Sequence, residues 1–406
     1  MPRVLIAAAL LALSVASAFA QGVQGDVVRA GFPVLGPSSS AIREGQWFPI
    51  LVELTAEGAH FQGKLRVETQ DLDGDRVSYI EEPVTVTAGA GIKRVWCYAV
   101  AFGRRFGVGS GLNDTLAVDV LDENGALVTS LEVRSPEIIE NDTMLVLDIS
   151  RLSVPLARLQ NLGMVQTADL VLETRAYRKV SVARMGVDQL PDRWWGLEAV
   201  DVIVWDQPDP SPSGIGPAQL EALMQWVRNG GRLVIGTGAA WQAIQTSPLA
   251  DLLPYKAGGT VATTSTLARF FARFSETQRT SFDNPIPVIT ARARAGATTT
   301  FRDSTESGQT VDLIVRRNVG SGRVIAVATG LADLARRASD EFTSSCSTST
   351  SRAWYSQPMS RNRCSNSPRR RSTTISSGPP RFRRRARPSF WRPWCSLSRM
   401  VCWRRW

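Results

Sequence analysis

The chain has 406 residues, 43% hydrophobic and 21% charged, which fits a globular protein and excludes a wholly disordered chain or a polytopic membrane protein. The net charge of +10 is no nucleic-acid signal: residues 341–406 hold 15 Arg, no Lys and one acid, so residues 1–340 carry −4. His60 is the single histidine, which removes most catalytic triads and His-based metal sites.

Residues 1–20 read as a secretory signal. Arg3 is the charged start, Val4–Val15 the apolar run, and Ala18-Phe19-Ala20 a small-x-small cleavage site before Gln21. The protein is therefore expected to be exported to the periplasm or cell envelope. No Cys follows the site, so no lipoprotein anchor is predicted. Cys97 is the only cysteine in residues 1–340, which excludes an internal disulfide framework there. It stands in a strand-like run, Arg94–Val100, and reads as a small core residue.

Residues 27–138 read as an all-β unit. Lys64–Thr69 alternates polar and apolar, and Asp73-Gly74 is a turn signal before Arg76–Ile80. Strands at short, regular spacing predict an antiparallel sandwich of immunoglobulin-like type. The pattern changes near Asn141. Met144–Ile149 and Val200–Trp205 are continuous apolar runs, as expected of strands covered on both faces. Pro217 suits a first helical turn, and Leu220, Leu223, Met224 and Val227 share one helix face. Asn229-Gly230-Gly231 ends that helix before the strand Arg232–Gly236. Strand, helix and strand make a βαβ unit with parallel strands. Val311–Val315 and Arg323–Ala328 form a closing hairpin around Gly320-Ser321-Gly322. The expected fold class is β then α/β, with an α/β domain over residues 142–338 built on a mostly parallel, flavodoxin-like sheet.

Beyond Phe342 no periodicity survives. Residues 343–406 are rich in Ser, Arg, Pro, Trp and Cys and lack acids, as GC-rich coding sequence reads in the wrong frame. Joining the third base of each codon to the first two of the next forces Phe390-Trp391 to Leu, Trp394-Cys395 to Val and Cys402-Trp403 to Leu. The tail is expected to be an out-of-frame translation, disordered as it stands. The intact frame would supply an apolar helix that anchors the protein in a membrane. The alternative is a basic arm for nucleic acid or anionic lipid.

Residues 144–328 resemble the class I glutamine amidotransferase-like fold, in a degenerate form found in bacterial envelope proteins. The resemblance rests on Leu190–Gly196 followed by Ala199–Val204, on Trp226–Ile235, and on the hairpin Gly320–Val324. The active family places a Cys on a sharp turn after a strand, with a His and a carboxylate later in the chain. Here that turn reads Gly236-Thr237-Gly238, and no His follows residue 60. The resemblance therefore implies a domain without catalysis, since a nucleophile lacking a base stays protonated. No catalytic residue, metal or cofactor is predicted.

In open α/β sheets ligands bind beyond the carboxyl ends of the strands. Asp206, Asp209, Thr237 and Trp241 are the candidates there for a shallow polar or sugar-like pocket. The simpler reading is a solvated loop whose aspartates cap turns. Asp71, Asp73 and Asp75 have the spacing of a calcium loop, but Arg76 replaces the required Gly, and a hairpin turn is preferred. Gly107–Gly111 lacks a dinucleotide pattern. Trp194-Trp195 is read as packing at a domain junction rather than as an exposed carbohydrate platform. The expected function is non-catalytic binding or assembly with an envelope protein or glycan. The alternatives are a carbohydrate-binding protein and a hydrolase using Asp206 and Asp209.

Overall fold

The computed structural model describes residues 22–337 apart from 35–39, 103–114, 135, 152–155, 157–164, 169–173, 178 and 275–280. The expected signal, Gly107–Gly111 and the tail from 343 lie outside the described residues.

The chain is β-rich and forms several sheets. Its first strands are β1 (Gly22–Ala30), β2 (Ala41–Arg43), β3 (Trp47–Glu57), β4 (Phe61–Gln70), β5 (Arg76–Val86), β6 (Lys93–Val100), β7 (Thr115–Asp122), β8 (Leu127–Arg134) and β9 (Glu137–Ile139). A three-stranded sheet, β1-β3-β6, and a four-stranded sheet, β5-β4-β7-β8, contribute to one core that includes Ile50, Val52, Leu54, Leu65, Val67 and Val118. Period-two alternation explains the facing: along β4, Phe61, Gly63, Leu65, Val67 and Thr69 are buried, while most residues between them are partly exposed.

After them come β10 (Thr143–Asp148), β11 (Val165–Ala168), β12 (Thr174–Tyr177), β13 (Lys179–Arg184), β14 (Val202–Asp206), helix α1 (Pro217–Arg228), β15 (Arg232–Gly236) and helix α2 (Trp241–Gln245). They continue with β16 (Val261–Thr266), helix α3 (Ala268–Phe274), β17 (Ser281–Ile289), β18 (Thr298–Ser304), β19 (Thr310–Val319), β20 (Gly322–Val327) and helix α4 (Leu331–Arg337). Seven strands form one mixed sheet in the order β13-β10-β14-β15-β20-β19-β18. It is parallel from β13 to β20 and antiparallel from β20 to β18. Every residue of β10 and β14 is buried, as continuous apolar runs require.

Helix α1 joins β14 to β15. Pro217 occupies its first turn, Gln219 accepts the Gly216 N–H at 3.0 Å, and Leu220, Leu223, Met224 and Val227 are buried. Its end fixes the β19–β20 turn, where Ser321 N–H donates to Arg228 O at 2.8 Å. A Cβ on Gly322 would lie 1.8 Å from Val227 O, so only glycine fits this approach.

The chain passes from β10 to β13 on one side and then to β14 on the other, so the strand order reverses beside β10. One edge of the sheet is covered. Val34 bridges Ala183 of β13, and Arg184 N–H donates to Pro33 O at 3.0 Å. Phe32, fully buried, belongs to the core of this sheet. Among the described residues, no helix is long and apolar enough to cross a membrane.

Candidate functional site

The carboxyl ends of β10, β14 and β15 hold Asp148, Asp206 and the Gly236–Thr237 turn, at the crevice where parallel sheets bind ligands. Their polar atoms are turned inward. Asp206 is 3% exposed and accepts the N–H groups of Leu331 at 2.5 Å and Ala332 at 2.8 Å. Burial pushes its carboxyl up to about 6; these two N–H groups oppose the shift, and Asp333 and Asp148 add to it. Its own N–H donates to Ser150 Oγ at 2.9 Å, and Ser150 N–H donates to Asp148 Oδ1 at 3.0 Å. Gln207 follows with a φ of 46°, in the left-handed region, held by Asp333 Oδ2 at 3.0 Å and by Gly236 O.

Thr237 is fully buried and its hydroxyl donates to Val327 O at 2.8 Å. Trp241 is buried edge-to-face against Tyr255, with its indole N–H donating to Gly258 O at 3.1 Å. Asp209 is exposed in a tight turn and accepts Ser211 N–H at 3.1 Å; the hydrogen bonds of Ser211 hold its carboxyl below the usual range. Three of the four residues expected to line an open pocket are thus buried and partnered. Asp209 alone meets solvent.

A wider cleft, of about 540 Å³, lies where β3, β5 and β6 meet the segment Asp192–Glu198. Tyr98 on β6 organises it. Its hydroxyl donates to Asp192 Oδ1 at 2.6 Å and accepts the N–H groups of Asp192 and Arg193 at 3.1 and 3.2 Å. Burial, then Asp192, pushes this phenol far up, so it stays protonated. The Arg193 guanidinium lies 5.5 Å from the ring centres of both Tyr98 and Trp195 and pairs with Glu81. Burial raises the Glu81 carboxyl, although Arg193 opposes it. A Cβ on Gly196 would lie 2.4 Å from the Tyr98 ring, which explains the glycine closing the Trp194-Trp195-Gly196 run.

Trp47 and Tyr79 form the opposite wall, and Trp47 N–H donates to Glu198 at 3.2 Å. The aromatic pairs cross at 66° to 82°, so no coplanar row is presented. Trp194 and Trp195 pack edge-to-face against one another in this cleft, each residue half-buried. Cys97 beneath it is 2% exposed and burial raises its thiol, which makes it an inert core residue. Two further ties join the early strands to residues 189–201. Arg43 and Asp201 form a buried ion pair at 2.7 Å, and Arg29 reaches Gln189 Oε1 at 2.8 Å, with burial lowering its pKa to about 10.

Sequence reasoning named the two tryptophans but missed Trp47, Tyr79, Glu81, Tyr98 and Arg193. The signal available was the run Pro191–Gly196; its partners lie 94 to 112 residues away. The Asp71–Asp75 segment is the β4–β5 turn, with Asp71 Oδ1 accepting the N–H groups of Asp73 and Asp75. Among the described residues, no group of three or more acidic, His or Cys side chains is placed to hold a metal.

Residues 35–134 match a family described as a domain of unknown function (DUF8726). No curated protein matches the chain. Among solved structures, it is similar to the exo-β-1,4-mannosidase Op5Man5 from Opitutaceae bacterium strain TAV5, at 16% identity over 53% of this chain and 36% of that one, with a TM-score of 0.29. The β-galactosidase from Rahnella sp. R3 matches at 12% identity over 52% and 32%, with a TM-score of 0.28. The β-galactosidase from Bacillus circulans sp. alkalophilus matches at 11% over 47% and 29%, with a TM-score of 0.24. The chain spans 29% to 36% of the length of these three structures. Likenesses of this size carry no argument about activity.

Proposed function

We propose that this chain is a non-catalytic, exported protein of the cell envelope with a binding or assembly role. In this reading an immunoglobulin-like sandwich precedes an amidotransferase-like α/β domain that has lost its chemistry, and the intact protein is anchored by a C-terminal helix. The observation that carries the reading is the state of Thr237. The resemblance sets it at the turn where the active family has its nucleophile, and its hydroxyl proton is held by Val327 O at 2.8 Å. No histidine after residue 60 is available to act as its base. Asp206 is likewise committed to two backbone N–H groups. Binding then falls to the junction cleft, whose volume lies in the ordinary range of ligand sites, about 300–1,000 Å³.

Incubating the full chain with glutamine tests the non-catalytic reading. No ammonia above the blank is expected, and release that disappears in Thr237→Val would overturn it. Fractionation of expressing cells tests export: mature protein beginning at Gln21 in the envelope fraction is expected, and uncleaved protein in the cytoplasm refutes it. The carbohydrate-binding alternative is favoured by five aromatic residues around one cleft, Trp47, Tyr79, Tyr98, Trp194 and Trp195. Their crossed rings fit a single sugar edge better than a flat chain.

A further inference from the structure

A second cleft, of about 730 Å³, opens beside β18, the other edge of the seven-stranded sheet. Lys256, Arg294 and Arg302 line it together with Thr298, Thr299 and Thr300, and neither a carboxylate nor an aromatic ring faces it. Local pairing produces this arrangement. Residues 254–256 and 292–294 run antiparallel: Lys256 N–H donates to Arg292 O and Arg294 N–H to Pro254 O, both at 2.8 Å, around a Tyr255–Ala293 bridge. Tyr255 turns inward, where its hydroxyl donates to Asp312 O at 2.9 Å. Alternation then turns Lys256, Arg292 and Arg294 the other way.

Asp312, 3% exposed, holds the remaining wall. It accepts Arg302 Nε at 2.7 Å and Ala293 N–H at 3.1 Å. Burial pushes its carboxyl up, but the Arg302 bond, the Ala293 N–H and the charges of Arg302 and Arg292 together hold it below the usual range. It stays ionised and fixes Arg302, whose side chain is still 60% exposed. Behind these, Arg317 Nη1 donates to Asp251 O at 2.6 Å and Arg294 Nη1 reaches the same oxygen at 3.5 Å. Burial first, and Arg294 second, lower the Arg317 pKa. No carboxylate lies within ion-pair distance of Lys256 or Arg294 among the described residues. Asp312 offsets Arg302 and Arg292 in part, while Lys256 and Arg294 are left as like charges whose closeness costs stability unless an anion arrives.

The geometry points to a docking surface for an anionic phospholipid bilayer, with Lys256, Arg292, Arg294 and Arg302 as its contacts. The cations sit on a two-stranded ribbon and on an edge strand, around a shallow cleft open to solvent rather than in a closed phosphate cage. Addition of a partner strand is disfavoured here, because β18 carries two register shifts around Phe301 as well as Arg302. This surface goes beyond the binding role proposed above and does not depend on the junction cleft.

Hydrogen exchange of the full chain with vesicles tests it, because the method separates this surface from the basic tail. Vesicles containing phosphatidylglycerol are expected to protect residues 254–258 and 292–302, and pure phosphatidylcholine vesicles to leave them unchanged. Removing one cation weakens such binding about five-fold, so the Lys256→Gln/Arg294→Gln double variant should need about 25-fold more lipid for the same protection. Thr300→Lys should need less. Protection confined to residues 343–406, equal protection in the double variant, or full competition by soluble glycerol phosphate would each overturn the proposal.

Discussion

The carboxyl-end crevice and the junction cleft both gather charged and aromatic residues, and they use those residues differently. In the crevice Asp206, Thr237 and Trp241 are spent on backbone groups of their own chain. In the cleft Trp47, Tyr79, Arg193, Trp194 and Trp195 are only partly covered, and Glu81 and Arg193 neutralise one another. Topology marks where a site can be. Whether its polar groups are already satisfied decides whether it can serve.

Four measurements break or sharpen that contrast. Asp206→Ala strips the acceptor from two buried N–H groups and is expected to cost about 3 kcal/mol in a denaturant titration. A loss below about 0.5 kcal/mol, the ordinary surface level, would mean that the crevice is not self-satisfied. The second measurement uses pH. Folding raises the Asp206 pKa from 3.8 to about 6, so the native state keeps a proton that the unfolded chain releases in this window. The stability this contributes is fully present below 3.8 and is lost as pH rises through 6. Relative to Asp206→Asn, the natural chain should therefore gain about 2 kcal/mol between pH 7.5 and 4.5; an unchanged difference refutes the shift.

Gly196→Ala forces a methyl to 2.4 Å from the Tyr98 ring and should cost about 2 kcal/mol, with a changed near-ultraviolet spectrum as the cleft rings shift. Arg193→Ala removes a half-exposed ion pair and two ring contacts, for about 1 kcal/mol or less. If Arg193 proves as costly as Asp206, the cleft is structural mortar and the contrast fails.

Local signals in the sequence carried far. The apolar runs at 144–149 and 200–205, the amphipathic α1 and the glycines around 230 and 320 all correspond to buried strands, a helix and tight turns at those positions. Strands β16 and β18 were not legible, because Thr-rich segments with mostly exposed or half-buried residues lack an apolar period. Asp206 closes β14, and its partners arrive from 125 and 126 residues away. The cleft was hidden for the same reason. Periodicity reports how a segment faces its core, and says nothing about which distant segment covers it.

The buried Arg43–Asp201 pair has a practical consequence for anyone dividing this chain. A fragment ending near Ile139 would leave the Arg43 guanidinium without its carboxylate, and would bare Phe32, which packs into the core of the other sheet. The complementary fragment would lose Val34 and Pro33 from the edge of β13 and leave that outer edge open. The linker that looks like a natural place to cut is thus a poor boundary for recombinant expression, and both halves are expected to aggregate when made alone.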